Sequence, residues 1–527
     1  MAATGEAEGR AKVTTNRQAR CRRLGCPTSG PRKLRILAPG GGPDTRSRGK
    51  FAKMPDMSRY TPVKAMEAIN DAFLRIPKEK IQALLAKQRA LSVRHGLSMF
   101  TSRGKVRIIE VKLRPWVIDS VQRRFFHRTT LLLRGALSRL MPMYLANPAV
   151  RQVLPLHPEE HEWMCEANAR RLQRPQTVVD RIDTTATFGV SEWREHFWFL
   201  EPNSVGIGGV HYIPATCALT RDWVLPTLRR YLPDLRLVPH DDIRRLVMKQ
   251  LARHARALGL KLRRVALVED QSISGGTDEF PQIARFFRTQ GLEAFTADPR
   301  EVTVRKEQVV VKGRSVDLVY RDTEITELFE MARSSGRRSI LGMREAFLRN
   351  RVISSVAGEF DHKSAWELLT NPEFSRHFTL HERRLFRAHL LWTRLLWERK
   401  TTDAKGKRID LVPYTRSHRE TLVLKPNRAY GGEGVVFGHQ VSQSSWEREL
   451  IQALKRPFTH VIQQAAFVRA EMFPVAEPNG AVHLEPFYVV TGLAATQDGI
   501  AFLGRISKEA VVNVSRKGGL VAVWRLG

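Results

Sequence analysis

A lysine at the end of an apolar run, followed by closely spaced glycines, is a combination that can grip a polyphosphate. Residues Leu422-Val423-Leu424-Lys425-Pro426-Asn427-Arg428-Ala429-Tyr430-Gly431-Gly432-Glu433-Gly434-Val435-Val436 have this form. The apolar run predicts a buried strand that delivers Lys425, and Gly431, Gly432 and Gly434 form a loop leading into a second strand. Glycine lets backbone N–H groups approach phosphate oxygens closely, and a lysine at the strand end neutralises their charge. No Gly-Lys-Ser/Thr follows the glycines, so this is not a Walker A loop. A hairpin with flexible glycines is the competing reading.

Two further segments carry oxygen donors: Arg181-Ile182-Asp183 and Leu200-Glu201-Pro202-Asn203. Alternate residues of an extended chain point to the same side, so Glu201 and Asn203 offer two oxygens together, which suits a hard cation such as Mg²⁺. Asp183 adds a third oxygen and Arg181 a phosphate clamp. The alternative is a turn stabilised by Asn203 ahead of Gly206, Gly208 and Gly209. Cysteine and histidine positions form neither a catalytic triad nor a metal-ligand spacing. Cys21 and Cys26 are close in sequence, but no second pair or nearby His completes a zinc site, and four cysteines in 527 residues exclude a disulfide scaffold.

The elements that must position these residues differ along the chain. Thr61-Pro62 is a helix-start signal, and apolar residues then recur at helical spacing at Ala65, Ile69, Ala72 and Phe73. Lys80 to Val93 reads as a second helix, and a third stripe runs through Ile118, Val121, Phe125, Leu132, Ala136 and Leu140. From Val178 the pattern changes to short β-like runs (197–200, 265–268, 292–295, 309–311 and 316–320) alternating with helices at 241–258 and 280–289. A mainly helical span follows at 344–397, then strands at 421–424, 434–437, 460–464, 487–490 and 501–503. This alternation predicts an α/β architecture. The expected division is a disordered basic arm over 1–56 and a helical N-terminal region over 57–177. A metal-binding and substrate α/β region over 178–340 follows, then a helical segment plus nucleotide-binding lobe over 341–527.

The chain carries 87 Lys and Arg against 53 Asp and Glu, a formal charge of +34. Through Lys53 there are 13 basic residues against Glu6, Glu8 and Asp44, so +10 lies in the arm and +24 beyond it. The arm lacks apolar periodicity and is expected to be disordered. An unstructured tail, or a leader upstream of a start at Met54 or Met57, is favoured over a nucleic-acid-binding arm, whose cations would act by counterion release. The longest apolar stretch, Leu131 to Leu145, is broken by Arg134 and Arg139, so no membrane span is expected and the expected location is the cytoplasm.

Taken together and in this order, the segments resemble the circularly permuted ATP-grasp enzymes of bacteria and, more distantly, glutathionylspermidine synthetase and eukaryotic-type glutathione synthetase. The resemblance covers 178 to the C-terminus. It implies an α/β (α+β), circularly permuted ATP-grasp fold in which Asp183, Glu201 and Asn203 hold magnesium and Arg181 contacts the phosphates. It also implies that Lys363, in Asp361-His362-Lys363, and Lys425 balance the charge of ATP, with Gly431, Gly432 and Gly434 over its phosphates. Gln464, ending Val461-Ile462-Gln463-Gln464, takes the place of the adenine-holding hinge. Gly504-Arg505-Ile506-Ser507 through Asn513 and Gly518-Gly519 is similar to the closing loop, with Arg505 on the transferring phosphoryl group. The implied reaction is ATP-dependent ligation of a small-molecule or peptide carboxylate to an amine through an acyl phosphate. One departure stands out: Ala429 occupies the position four residues after Lys425 where the glutathione synthetase pattern has a carboxylate, with Glu433 as a substitute. The rival is a catalytically degenerate ATP-grasp scaffold that binds nucleic acid or protein. The helical N-terminal region would shape the substrate site or a homodimer contact.

Overall fold

Arg181–Thr185 is rich in β-branched residues and is buried along its whole length. It pairs antiparallel with Phe199–Asn203 on one side and with the long strand Val482–Thr496 on the other. Gly499–Ser507 and Gly519–Val521 continue this six-stranded sheet, and Glu471–Ala476 pairs with the first part of Val482–Thr496. The register sets Arg181 opposite Asn203 and Asp183 opposite Glu201. Side chains alternate along each strand, so these four share one face, while Ile182 turns into the core. The computed structural model describes residues 60–100, 105–171, 175–185, 188–272, 276–466, 468–509 and 518–527. The basic arm, Cys21, Cys26, Met54, Met57 and Asn513 lie outside the described residues.

A second, antiparallel sheet has the order Thr393–Leu395, His460–Gln464, Leu422–Pro426, Val436–Phe437. It packs its own small core, in which Leu422, Leu424 and Ile462 meet Trp392, Leu411, Trp446 and Leu450. Alternation then sends Val423, Lys425 and Gln463 to the opposite face. A third sheet is parallel, ordered Val352–Ile353, Leu318–Arg321, Arg264–Val268, Glu293–Ala297. The helix Glu279–Thr289 supplies the crossover from Arg264–Val268 to Glu293–Ala297, and Ile325–Ser335 and Leu341–Leu348 lie between Leu318–Arg321 and Val352–Ile353.

The first helix starts as its signals predict. Pro62 opens it, and the Thr61 hydroxyl accepts from the Lys64 N–H. The region before Val178 is not purely helical, however. Short strands run over Ser98–Phe100, Val106–Ile108 and Trp116–Ile118. Ile118 therefore belongs to a strand paired with Val523–Leu526, and the helix begins at Ser120, capped by Asp119 with Gln122 reaching back. The helical spacing of Ile118 with Val121 and Phe125 is accidental: pairing with a C-terminal strand some 400 residues away overrides it. The expected helical span 344–397 is likewise interrupted by the strands Val352–Ile353 and Thr393–Leu395, each of which edges a sheet. From the Ser120–Leu137 helix, Phe126 packs against Phe188, Phe197 and Phe502, joining the N-terminal region to the six-stranded sheet. Among the described residues, no helix is long and apolar enough to cross a membrane.

Candidate active site

The shared face of the six-stranded sheet, the Lys425 face of the second sheet and the segment after the parallel strand Leu318–Arg321 line a cavity of about 650 Å³. Arg181, Asp183, Glu201, Asn203, Lys425, Gly431, Gly432, Gln464 and Arg505 all line it. Residues separated by more than 300 positions are thus brought to one wall. Gly434 does not line the cavity. It adopts φ +66, and a Cβ there would come within 2.8 Å of the Pro426 ring, so it shapes the loop. Gly431 and Gly432 both have φ +72, a conformation in which a side chain would be strained.

Asp183 lies between two arginines. Arg181 Nε and Nη2 donate to its two oxygens at 2.9 and 3.3 Å, and Arg505 Nη2 is 2.6 Å from Oδ2. Burial alone would raise its pKa, but the Arg181 and Arg505 guanidinium groups outweigh burial and hold it below the ordinary carboxylate range. Arg181 also donates to the Gly208 carbonyl at 2.6 Å. Arg505 keeps a buried Nε with no hydrogen-bond partner among the described residues. Asn203 donates its amide to the Arg181 carbonyl at 3.2 Å.

Lys363 is buried and does not itself line the cavity, but it touches residues beside it. Its Nζ donates to the Ala429 carbonyl at 2.7 Å and lies 3.5 Å from Glu201 Oε2. The position where a carboxylate was expected therefore contributes its backbone oxygen to a lysine, while Glu433 is exposed and does not line the cavity. Lys425 donates to Gln463 Oε1 at 2.7 Å, and the Gln463 amide donates to the Leu200 carbonyl and the Thr393 hydroxyl. Burial lowers the pKa of Lys425. Gln464 is half-buried at the strand end, its N–H donating to the Trp392 carbonyl.

Sequence reasoning missed several residues here. Gln463 was legible, because it pairs with Val423 in register and shares the Lys425 face. Gly492 sits opposite Asp183, and a Cβ on it would collide with the Arg181 side chain, so its absence lets Arg181 lie across the sheet to Asp183. Arg428 is held by Glu160 at 2.8 and 2.9 Å and by Glu359 at 3.4 Å, which anchors the start of the glycine loop to a helix of the N-terminal region. Glu279, Asp322, Glu324 and Glu327 form a second, acidic wall of the cavity. Nothing in local sequence marks them.

No known family and no curated protein matches the sequence. Among solved structures the chain is similar to a glutathione synthetase-like effector from Globodera pallida, in its apo form. The identity is 10%, with 86% of this chain and 99% of that chain covered and a TM-score of 0.56. A γ-glutamylcysteine synthetase-like protein from Methylobacillus flagellatus aligns at 10% identity over 75% of this chain and 87% of its own, with a TM-score of 0.33. D-alanyl-alanine synthetase A from Vibrio cholerae aligns at 9% identity over 50% and 87%, with a TM-score of 0.23. The last two scores carry no argument. The first establishes that this mixed α/β chain shares its fold with a glutathione synthetase-like protein.

Proposed function

We propose that the cavity is the active site of an ATP-dependent ligase of the circularly permuted ATP-grasp type, joining a carboxylate to an amine. The observation that carries this reading is the convergence of Arg181, Asp183, Glu201, Asn203, Lys425, Gly431, Gly432 and Arg505 on one cavity. The residues present fit a magnesium nucleotide. The buried, unpartnered Arg505 Nε is a donor that a phosphoryl oxygen would satisfy. Half-buried Lys425 sits before a loop whose glycines adopt left-handed backbone, which suits close approach to phosphate. Asp183, Glu201 and Asn203 provide the all-oxygen donor set that Mg²⁺ prefers and would hold the ion between them.

Bound ATP·Mg²⁺ would supply the phosphoryl group that turns a carboxylate into a good acylating agent. Lys425, with Lys363 behind it, would balance the charge of the nucleotide phosphates, and Arg181 and Arg505 would orient the carboxylate oxygen and the transferring group. Gln464 offers the hinge contact to the base. The amine nitrogen then forms the C–N bond as the C–O bond to phosphate breaks, and the amine proton leaves with the phosphate. No nucleophilic side chain is required. The test is ADP release with candidate carboxylates and amines. Amine-dependent amide formation supports the ligase, and a phosphorylated product with no amine dependence would replace it with a phosphoryl transferase.

A further inference from the structure

Behind the six-stranded sheet lies a second cavity, of about 410 Å³, that shares no residue with the site described above. Ser120, Arg123, Arg124, His240, Asp241 and Arg525 line it. They come from three places: the start of the Ser120–Leu137 helix, the segment before the Ile243–Ala257 helix, and the strand Val523–Leu526. His240 packs its ring on Phe502, with centroids 4.4 Å apart. Phe502 also meets Phe126, while Leu503 and Arg505 of the same strand line the central cavity. Alternation along Gly499–Ser507 therefore sets the two cavities on opposite faces of one sheet.

Three guanidinium groups here accompany one carboxylate, and that carboxylate is already engaged. Asp241 Oδ2 accepts from Arg123 Nη2 at 2.5 Å and from the Ile500 N–H at 3.0 Å. Arg525 donates one N–H to the Ser120 hydroxyl at 3.0 Å. Neither Arg525 nor the exposed Arg124 forms an ion pair among the described residues. Two positive charges are thus left over at the cavity. Both ring nitrogens of His240 are buried, and neither has a hydrogen-bond partner among the described residues. Buried polar groups are ordinarily paired, so this ring has an N–H to offer a ligand. Burial, followed by the Arg123 and Arg525 charges, holds its pKa down at about 3, so the imidazole is neutral and carries one donor. Asp119 already caps the adjoining helix by accepting from the Gln122 N–H, so side chains rather than the helix end supply the attraction.

We propose that this second cavity binds a phosphoryl dianion, free or as a small monoester, with Arg124 and Arg525 gripping its oxygens and His240 donating to one of them. The planar fork of arginine suits phosphate oxygens, and two uncommitted guanidinium groups match the charge of a dianion. The cavity falls in the size range of small-molecule sites, which leaves space for the body of an ester beside its phosphoryl group. The seat is independent of the ligase reading, since it uses none of the same residues.

Equilibrium dialysis of the full chain against radiolabelled inorganic phosphate, at constant ionic strength set with sodium chloride, tests it. Saturable binding is expected, and it should persist in Lys425→Met, whose change lies in the other cavity. Arg124→Ala and Arg525→Met should each weaken it at least about tenfold, the value of one charge-assisted contact. Thermal melts check that both variants are folded, and the exposed Arg124→Ala carries the test if Arg525→Met is not. Competition by unlabelled glycerol 3-phosphate separates the sources. Tighter competition than by unlabelled phosphate supports a seat for an ester, and weaker competition supports a seat for free phosphate. Absence of saturable binding, wild-type affinity in a folded Arg124→Ala or Arg525→Met, or loss of binding in Lys425→Met overturns the proposal.

Discussion

Replacing Lys425 by methionine keeps the length of the side chain and removes its charge, and the structure sets the expected outcome for both stability and binding. Burial lowers the lysine pKa in the folded protein below its ordinary value. The unfolded chain therefore binds more protons than the folded one between the two values. The penalty for holding the charged lysine is complete below the folded pKa and fades as pH rises through it. Methionine relieves that penalty but strips Gln463 Oε1 of its 2.7 Å donor inside a buried site, at a cost of about 1–3 kcal/mol. The two effects oppose, so Lys425→Met should melt within a few degrees of the wild type at pH 7. Its margin over the wild type should shrink at pH 9.5. A lost charge-assisted phosphate contact costs about 1.5–3 kcal/mol, so affinity for ATP·Mg²⁺ should fall about ten- to a hundredfold. Calorimetric titration and melts at the two pH values check both arms. A folded variant with wild-type ATP affinity refutes the placement of the phosphates at Lys425.

Glu201→Gln preserves shape and removes a metal-ligand charge, so Mg²⁺-dependent turnover should collapse while the melting temperature holds; turnover against Mg²⁺ concentration measures it. Asp183 is held below its unfolded pKa by Arg181 and Arg505, so its contribution is present above about pH 4 and is lost as pH falls through the folded value; Asp183→Asn should flatten that part of an acid-denaturation curve. Gly492→Ala should displace Arg181 and cost about 1–3 kcal/mol by overpacking, read as a lower melting temperature together with reduced turnover. Arg428→Ala should loosen the glycine loop and raise the KM for ATP, since it removes the loop's tether to Glu160 and Glu359.

How much of this was legible depends on whether the information was local. Lys425 and its glycines were readable because an apolar run, a strand-end lysine and left-handed loop positions are properties of one segment. The pairs Arg181/Asp183 and Glu201/Asn203 were readable as same-side residues, and the antiparallel register then laid one pair on the other. Asp322 and Glu324 were not readable, because they follow one strand and line the cavity only when that strand's sheet is set beside the Arg181–Thr185 face. Gly492 was hidden for a similar reason, since only the pairing of Val482–Thr496 with Arg181–Thr185 gives it a neighbour to accommodate. Ile118 was misread because helical spacing was judged without its C-terminal strand partner.

The central claim is that a nucleotide occupies the cavity between the Lys425 sheet and the Asp183–Glu201 face. Photolabelling with azido-ATP in the presence of Mg²⁺, followed by peptide mapping, tests it most directly. The expected result is saturable labelling within 422–440 or 460–466, protected by excess ATP and diminished in Lys425→Met. Labelling that maps elsewhere, or that excess ATP does not prevent, contradicts the account.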